Sequence, residues 1–200
     1  MCGRYYIENE EETIAMREIL DEVNQRYYNT DKSARMKTGE IFPTDIVPVL
    51  TAGGGCRKTE LMKWGFPRPN SSGVIINARA ETANEKPMFR GLVKNKRCLI
   101  PASGFFEWKQ SAPKEKTKYL LKPESGRILF FAGIFNTYSD ADFPAFAILT
   151  TSANRFVSQI HSRMPYILTG DKADVWLFDE ALSILMLSSE CDARLTVKAV

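Results

Sequence analysis

Four side chains in this 200-residue chain stand in settings where they could do chemistry: Cys2, Asn77, Glu107 and His161. Cys2 follows the initiator methionine in Met1-Cys2-Gly3-Arg4, so removal of Met1 would make it the amino terminus. It would then carry an α-amine with an ordinary pKa of about 7.7 to 8.0 beside a thiol near about 8.5, and both nucleophiles are usable at neutral pH. An adjacent amine and thiol capture an aldehyde first as an imine and then as a closed thiazolidine ring. An uncleaved Met1 leaves no free amine on Cys2. The plainer reading of the position is a small apolar residue that fastens the first strand to the core.

The other three candidates sit in dense local constellations. His161, the only histidine, lies in Gln159-Ile160-His161-Ser162-Arg163-Met164-Pro165. Its imidazole is the one side chain whose unperturbed pKa falls near neutrality, which makes it a proton-shuttle candidate; the plain alternative is a structural histidine. Arg163, two positions on, suits a phosphate or a surface ion pair. Glu107 sits between aromatic residues in the run Pro101-Ala102-Ser103-Gly104-Phe105-Phe106-Glu107-Trp108, whose rings could hold it in a partly dry cleft. Desolvation there raises a carboxyl pKa and makes proton transfer possible; a surface glutamate on a strand is the alternative. Asn77 and Arg79 follow the apolar run Val74-Ile75-Ile76, and their alternate positions point to one face if the strand continues. A helix cap or a turn ion pair is the other reading. In Trp64-Gly65-Phe66-Pro67-Arg68-Pro69-Asn70, Trp64 and Phe66 could stack on bases or wedge between them beside Arg68, unless Trp64 belongs to the core.

These residues need a scaffold that brings distant segments together. The pattern predicts strands over Arg4 to Ile7, Ile46 to Leu50, Leu61 to Trp64, Val74 to Ile76, Arg97 to Ile100, Tyr119 to Leu121, Ile128 to Phe135 and Phe146 to Thr150. Pro48 suggests an edge position for the second of these. Met16, Leu20, Val23 and Tyr27 recur on one face of a helix that covers a sheet. Further helices are expected over Ala153 to Ile160, capped by Ser152, and over Ala173 to Phe178 and Ala181 to Leu187. Gly53-Gly54-Gly55 reads as a hairpin turn, because Cys56-Arg57-Lys58-Thr59 does not complete a phosphate-binding loop. Strands joined mainly by turns favour an α+β domain with antiparallel sheets over a doubly wound nucleotide fold.

Composition narrows the function classes. At 44 % apolar residues, 200 residues build one sizeable core, so one domain over 1–200 is expected. A net charge of +3 permits an anionic partner without requiring one. Cys2, Cys56, Cys98 and Cys191 show neither CxxC pairing nor close histidines, which argues against a zinc site and a disulfide framework and fits a reducing cytoplasm. No basic-then-apolar leader and no long apolar run is present, so neither secretion nor a membrane span is expected. No metal and no cofactor are expected.

Five separated segments, in order, resemble the SOS response-associated peptidase family, the SRAP domain. They are Cys2-Gly3-Arg4; Trp64-Gly65 followed by Pro67; Asn77-Ala78-Arg79 with Glu81-Thr82; Ser103-Gly104-Phe105-Phe106-Glu107-Trp108; and Ile160-His161-Ser162-Arg163-Met164-Pro165. The resemblance spans most of the chain. It implies a β-rich, barrel-like core with peripheral helices and a positive groove for single-stranded DNA. It further implies that Cys2 forms a thiazolidine crosslink with the ring-opened sugar of an abasic site, with imine-mediated lyase activity as a companion. In that reading Glu107 assists proton movement, His161 acts on the sugar and in strand cleavage or crosslink reversal, and Asn77 orients the sugar or the terminal amine. Arg4, Arg79 and Arg163 would hold phosphates around the lesion. A monomer acting on single-stranded DNA that contains abasic sites is expected. The competing class is a peptidase or amidase with Cys2 as amino-terminal nucleophile. Phe66 and Pro67-Arg68-Pro69 stand where some members have paired tryptophans.

Overall fold

The computed structural model describes residues 2–8, 13–68, 71–113 and 115–200. In chain order the elements are β1 (Tyr5–Ile7), α1 (Ile14–Arg26), α2 (Asp31–Ala34), β2 (Gly39–Ile41), β3 (Ile46–Gly53), β4 (Cys56–Trp64), β5 (Phe66–Pro67), β6 (Val74–Ile75) and β7 (Asn77–Arg79). There follow α3 (Ala80–Ala83), α4 (Pro87–Asn95), β8 (Arg97–Ala102), β9 (Gly104–Ala112), β10 (Glu115–Pro123), β11 (Leu129–Asn136) and β12 (Ala145–Ser152). The chain closes with β13 (Arg163–Pro165), β14 (Ile167–Leu168), α5 (Lys172–Phe178), α6 (Glu180–Met186) and β15 (Leu195–Ala199).

The larger sheet closes on itself. β12 pairs with β4, β4 with β3, β3 with β8, β8 with β11, and β11 returns to β12, which gives a five-stranded barrel. Closure removes the open strand edges that would otherwise template pairing with another chain. The second sheet runs β15-β10-β9-β1-β2 and is antiparallel throughout. The expected α+β, barrel-like class is therefore the observed one.

The two sheets meet at Ser103. β8 lies in the barrel and β9 in the second sheet, so the chain turns a corner between Ala102 and Gly104. Ser103 secures that corner: its N–H donates to the Tyr6 carbonyl at 2.8 Å, and its Oγ accepts the Glu8 N–H at 3.0 Å. A Cβ on Gly104 would stand 2.7 Å from the Leu121 carbonyl oxygen, so only glycine lets β9 pass β10 this closely. Beyond the corner, period-two alternation turns Phe105 and Glu107 toward the interior and Trp108 outward. Thus the Ser-Gly-Phe-Phe-Glu-Trp segment is a corner that aims Glu107 into the molecule.

Between the sheets, Tyr5, Trp64, Phe105, Phe131 and Phe146 form a ring cluster. Tyr5 meets Trp64 edge-on at 5.2 Å and Phe131 at 6.0 Å, Phe105 meets Phe131 at 6.0 Å, and Trp64 stacks on Phe146 at 6.4 Å. Edge-to-face pairs add about 0.5 to 1.5 kcal/mol each beyond the area they bury.

Two expectations are corrected. β3 is paired on both sides and is no edge strand; Pro48 is tolerated because pairing with β8 begins only at Leu50, leaving no ladder bond for Pro48 to break. No helix forms over residues 153–160; residues 155–160 are successive turns. Asn154, and not Ser152, organises them, since its Oδ1 accepts the Phe156 N–H at 3.1 Å while its amide donates to the Ala193 carbonyl at 2.8 Å.

Candidate active site

Cys2 is fully buried just ahead of β1. Its carbonyl accepts a hydrogen bond from Asn77 Nδ2 at 2.8 Å, and its thiol donates to the Arg4 carbonyl at 3.6 Å. Asn77 begins β7, which runs parallel to β12 with Asn77 beside Ile148. The barrel wall thereby holds the start of the chain. Ala78 is buried while Asn77 and Arg79 lie on the opposite face, as alternation requires. Asn77 Oδ1 is buried with no hydrogen-bond partner among the described residues, an acceptor whose desolvation costs about 1 to 3 kcal/mol if it stays unmet.

Glu107 is also buried, at 3 % exposure. Burial pushes its carboxyl above the ordinary carboxylate range, against the opposing pull of the amino-terminal positive charge and of His161. Its charge in turn acts on Cys2. Burial first, and Glu107 second, drive the Cys2 thiol far above its ordinary value, so the thiol is held protonated. Cys2 and Glu107 therefore share one electrostatic environment although they are far apart in sequence.

Glu107 and His161 line a single cleft of about 530 Å³ together with Trp108, Lys109, Lys116 and Gln159. The imidazole is fixed by the backbone two residues on: the Arg163 N–H donates to His161 Nδ1 at 2.9 Å, and the Arg163 carbonyl lies 3.1 Å from the same nitrogen. In the neutral ring Nδ1 accepts and Nε2 carries the proton.

The arginines divide. Arg79 is exposed at the end of β7. Arg4 donates to Glu40 at 2.9 Å with its guanidinium 3.6 Å from the Phe42 ring centre. Burial raises the Glu40 carboxyl, but bonds from Lys118 and Arg4 outweigh it and hold the carboxyl below its ordinary range. Arg163 is gripped by Glu81 through two bonds of 2.5 and 2.9 Å and donates to the Thr150 carbonyl at 2.5 Å. Its side chain is only 17 % exposed. Arg163 thus positions the His161 segment and has little guanidinium left for a phosphate.

Trp64 and Phe66 are core residues, which corrects their expected place against bases. Trp64 is fully buried, with Nε1 donating to the Ile76 carbonyl at 3.0 Å, and Phe66 is 2 % exposed against Phe89. Gly65 between them has φ +115°, and a Cβ there would meet Val74 Cβ at 2.7 Å. The Trp-Gly pair is therefore a packing device. Arg68 is exposed at the end of the short β5–β6 hairpin, and Pro69 and Asn70 lie outside the described residues. Glu40, Glu81 and Lys109 were missed as site components; Glu81 stood inside the Asn77 motif, and Lys109 follows Glu107 by one strand period. Among the described residues no group of three or more His, Cys, Asp or Glu side chains could hold a metal ion, and no helix is long and apolar enough to cross a membrane.

The profile of the family described as SOS response associated peptidase (SRAP) matches residues 1–200. The chain belongs to the SRAP family. It is 33 % identical over 192 residues to the abasic site processing protein YoqW of Bacillus subtilis, covering 88 % of this chain and 80 % of that protein. To the abasic site processing protein YedK of Escherichia coli it is 32 % identical over 185 residues, covering 90 % of this chain and 81 % of that one. A crystal structure of a protein from Bacteroides thetaiotaomicron superimposes with a TM-score of 0.74 at 24 % identity, covering 100 % of this chain and 92 % of that chain, which shares the SRAP-like fold.

Proposed function

We propose that this SRAP protein processes abasic sites in single-stranded DNA, capturing them covalently through Cys2 once Met1 has been removed. The relatives named as abasic site processing proteins support the DNA lesion as substrate. The observation that carries the chemistry is the burial of Cys2, its backbone held by Asn77, in the electrostatic reach of a buried Glu107 that shares a cleft with the only histidine.

In this reading the amine attacks first. The open form of the abasic sugar presents an aldehyde, the Cys2 amine adds to its carbon, and loss of water gives an imine. The thiol then adds to the imine carbon, its proton passing to the nitrogen, and a thiazolidine closes. One water leaves overall and no oxidant or metal is consumed. Glu107, with its carboxyl raised by burial, is poised to give and retrieve the protons that ring opening and dehydration require. His161 presents Nε2–H to a sugar oxygen in its neutral form and supports strand scission from the imine. Asn77 Oδ1 offers an acceptor to the terminal amine or to the sugar.

A thiolate-first peptidase fits less well. Such an enzyme needs Cys2 ionised near neutrality. Here burial and the Glu107 charge hold the thiol protonated, whereas amine-first capture needs the sulfur only after the electrophile is in place.

The deciding experiment uses protein whose loss of Met1 has been verified by intact mass. Incubation with an oligonucleotide bearing one abasic site yields an adduct that survives denaturation, and an oligonucleotide with intact bases yields none. Cys2→Ala loses the stable adduct and keeps at most a transient imine. The same stable adduct in Cys2→Ala, mapped to a lysine, overturns the mechanism.

A further inference from the structure

The cleft shared by Glu107 and His161 is lined by charge of mainly one sign. Among the described residues Lys109 and Lys116 line it without an ion pair, and Glu107 is its only carboxyl. Strand pairing brings the two lysines near each other: Lys109 of β9 stands across from Thr117 of β10, and Lys116 across from Gln110. Burial raises the Glu107 carboxyl, so the one acid on the wall is held toward its neutral, proton-donating form. At about 530 Å³ the space falls within the usual range of small-molecule sites, about 300 to 1,000 Å³. A small anion therefore meets positive potential and a proton donor together.

Glu107 connects this cleft to Cys2, since it lines the cleft and its charge acts on the Cys2 thiol. The chemistry proposed for Cys2 makes no use of a nucleotide. An aldehyde carbon takes the amine, its oxygen leaves as one water, and the thiol closes the ring with its proton passing to nitrogen; a strand contributes binding only. Burial adds a selectivity that an exposed thiol lacks. Cys56 is exposed at the start of β4, whereas Cys2 is fully buried with its thiol donating to the Arg4 carbonyl at 3.6 Å. Alkylating agents and oxidants consume thiolates. An aldehyde consumes the amine first, so a buried, protonated thiol is no obstacle to it.

We infer that this centre also captures free small aldehydes that carry a carboxylate or a phosphate, with no DNA present, as a thiazolidine on Cys2 that then excludes an abasic strand. The inference rests on the proposed amine-first chemistry for the bonds that form, and it extends the substrate class from a lesion in DNA to a soluble electrophile. Lys109 and Lys116 draw in the anion, and Glu107 supplies the proton on which dehydration depends. A neutral aldehyde finds only the second of these.

The test uses protein whose loss of Met1 has been verified by intact mass, with glyoxylate and glyceraldehyde 3-phosphate as anionic probes and propanal and glyceraldehyde as neutral ones. Each rate of mass gain, the aldehyde less one water, is divided by the rate of the same aldehyde on a free Cys-Gly-Arg peptide, which removes intrinsic reactivity. The adduct should map to Cys2, and on this scale the anionic probes should exceed the neutral ones by about tenfold, the lower end of electrostatic steering. A margin for one anionic probe alone upholds the inference and assigns the carboxylate or the phosphate. Replacing both Lys109 and Lys116 by alanine, with folding checked by thermal melting, should erase the margin. Glu107→Gln should slow capture of every probe by about 100-fold. Iodoacetamide should label Cys56 well before Cys2, and protein fully loaded with glyoxylate should fail to crosslink abasic DNA. Equal normalised rates for anionic and neutral probes, a margin kept in the double variant, capture unchanged in Glu107→Gln, alkylation of Cys2 as fast as of Cys56, or undiminished crosslinking by loaded protein overturns the inference. Protein that crosslinks abasic DNA but takes up no free aldehyde overturns it and leaves the proposed function standing. Uptake of aldehyde at Cys2 without any crosslink to abasic DNA upholds it and removes the DNA reading, so the two failures are distinguishable.

Discussion

The segments Trp64–Arg68 and Ile160–Pro165 look alike as sequence: short, aromatic or apolar, basic, and matched to the same family. In the folded chain they are opposites. Trp64 and Phe66 bury large rings whose polar atom is satisfied, Trp64 Nε1 on the Ile76 carbonyl. Such burial stabilises the protein, and nothing beyond packing is needed to account for it. The His161 segment lines the cleft that also holds Glu107, whose buried carboxyl is raised, while nearby Asn77 Oδ1 is buried without a partner among the described residues. Those arrangements cost stability, and packing does not explain them. A motif made of satisfied rings marks the scaffold; a motif made of costly polar groups marks the candidate site.

The sharpest way to break this contrast is at Trp64. If the ring is scaffold, Trp64→Ala should lower stability by about 3 to 5 kcal/mol, the range for deleting a large buried ring. For a chain of this size that is a fall in melting temperature of roughly 10 °C. Trp64→Phe should recover most of that stability, and DNA affinity per folded molecule should remain at the wild-type value in both variants. Loss of affinity at unchanged melting temperature would return Trp64 to the DNA surface and dissolve the distinction.

Glu107 tests the other side. Glu107→Gln keeps the shape and removes the transferable proton, so capture of abasic DNA should slow by about 10²- to 10⁴-fold, the usual contribution of general acid–base catalysis. Stability should move the opposite way. The folded-state carboxyl titrates above its reference value of 4.5, so between that value and the raised one the folded chain holds a proton that the unfolded chain has released. Stability is therefore present in full below the unfolded value and declines as pH rises through the window. Chemical denaturation of wild type and Glu107→Gln at acid and neutral pH should show the variant gaining on wild type as pH rises. A constant difference between the two proteins at all pH values would mean that Glu107 carries no strained charge.

Legibility in the sequence follows the same division. Cys2, Asn77, Glu107 and His161 stand out in the sequence as candidates because few residue types perform nucleophilic and proton-transfer chemistry and each lies beside apolar anchors; the structure buries Cys2 and Glu107 and places Glu107 and His161 on one cleft. The strands were readable from alternation, yet the closure of the barrel was not, because pairing of β12 with both β4 and β11 is a long-range choice that no local pattern encodes. The helix expected over residues 153–160 failed where the Asn154 side chain offered the backbone an alternative set of bonds. Burial of Phe66 was hidden by Gly65, whose φ of +115° turns the chain so that both flanking rings enter the core. The carboxylate partners of Arg4 and Arg163 were invisible because Glu40 and Glu81 lie 36 and 82 residues away from them.

The smallest expected effect probes how the chemical corner is held together, and it requires no DNA. Because His161 is the only histidine, its ring nitrogens give a single set of signals in a long-range proton–nitrogen spectrum of protein labelled with 15N-histidine. The Arg163 N–H donating to Nδ1 at 2.9 Å predicts that the neutral ring carries its proton on Nε2. Arg163 is itself held by its two bonds to Glu81, whose carboxyl those bonds, before the opposing effect of burial, keep below its ordinary range. Glu81→Gln retains one hydrogen-bond acceptor but loses the charge, so the backbone of residues 161–163 should loosen. The expected result is a mixture of the two neutral tautomers in the variant, against Nε2–H alone in the wild type, with a melting temperature lowered by only a few degrees. A wild-type ring protonated on Nδ1 would reverse the assignment of donor and acceptor at the Arg163 backbone. A tautomer unchanged by Glu81→Gln would show that the backbone bond suffices alone, leaving the Glu81–Arg163 pair as part of the scaffold with Trp64 and Phe66.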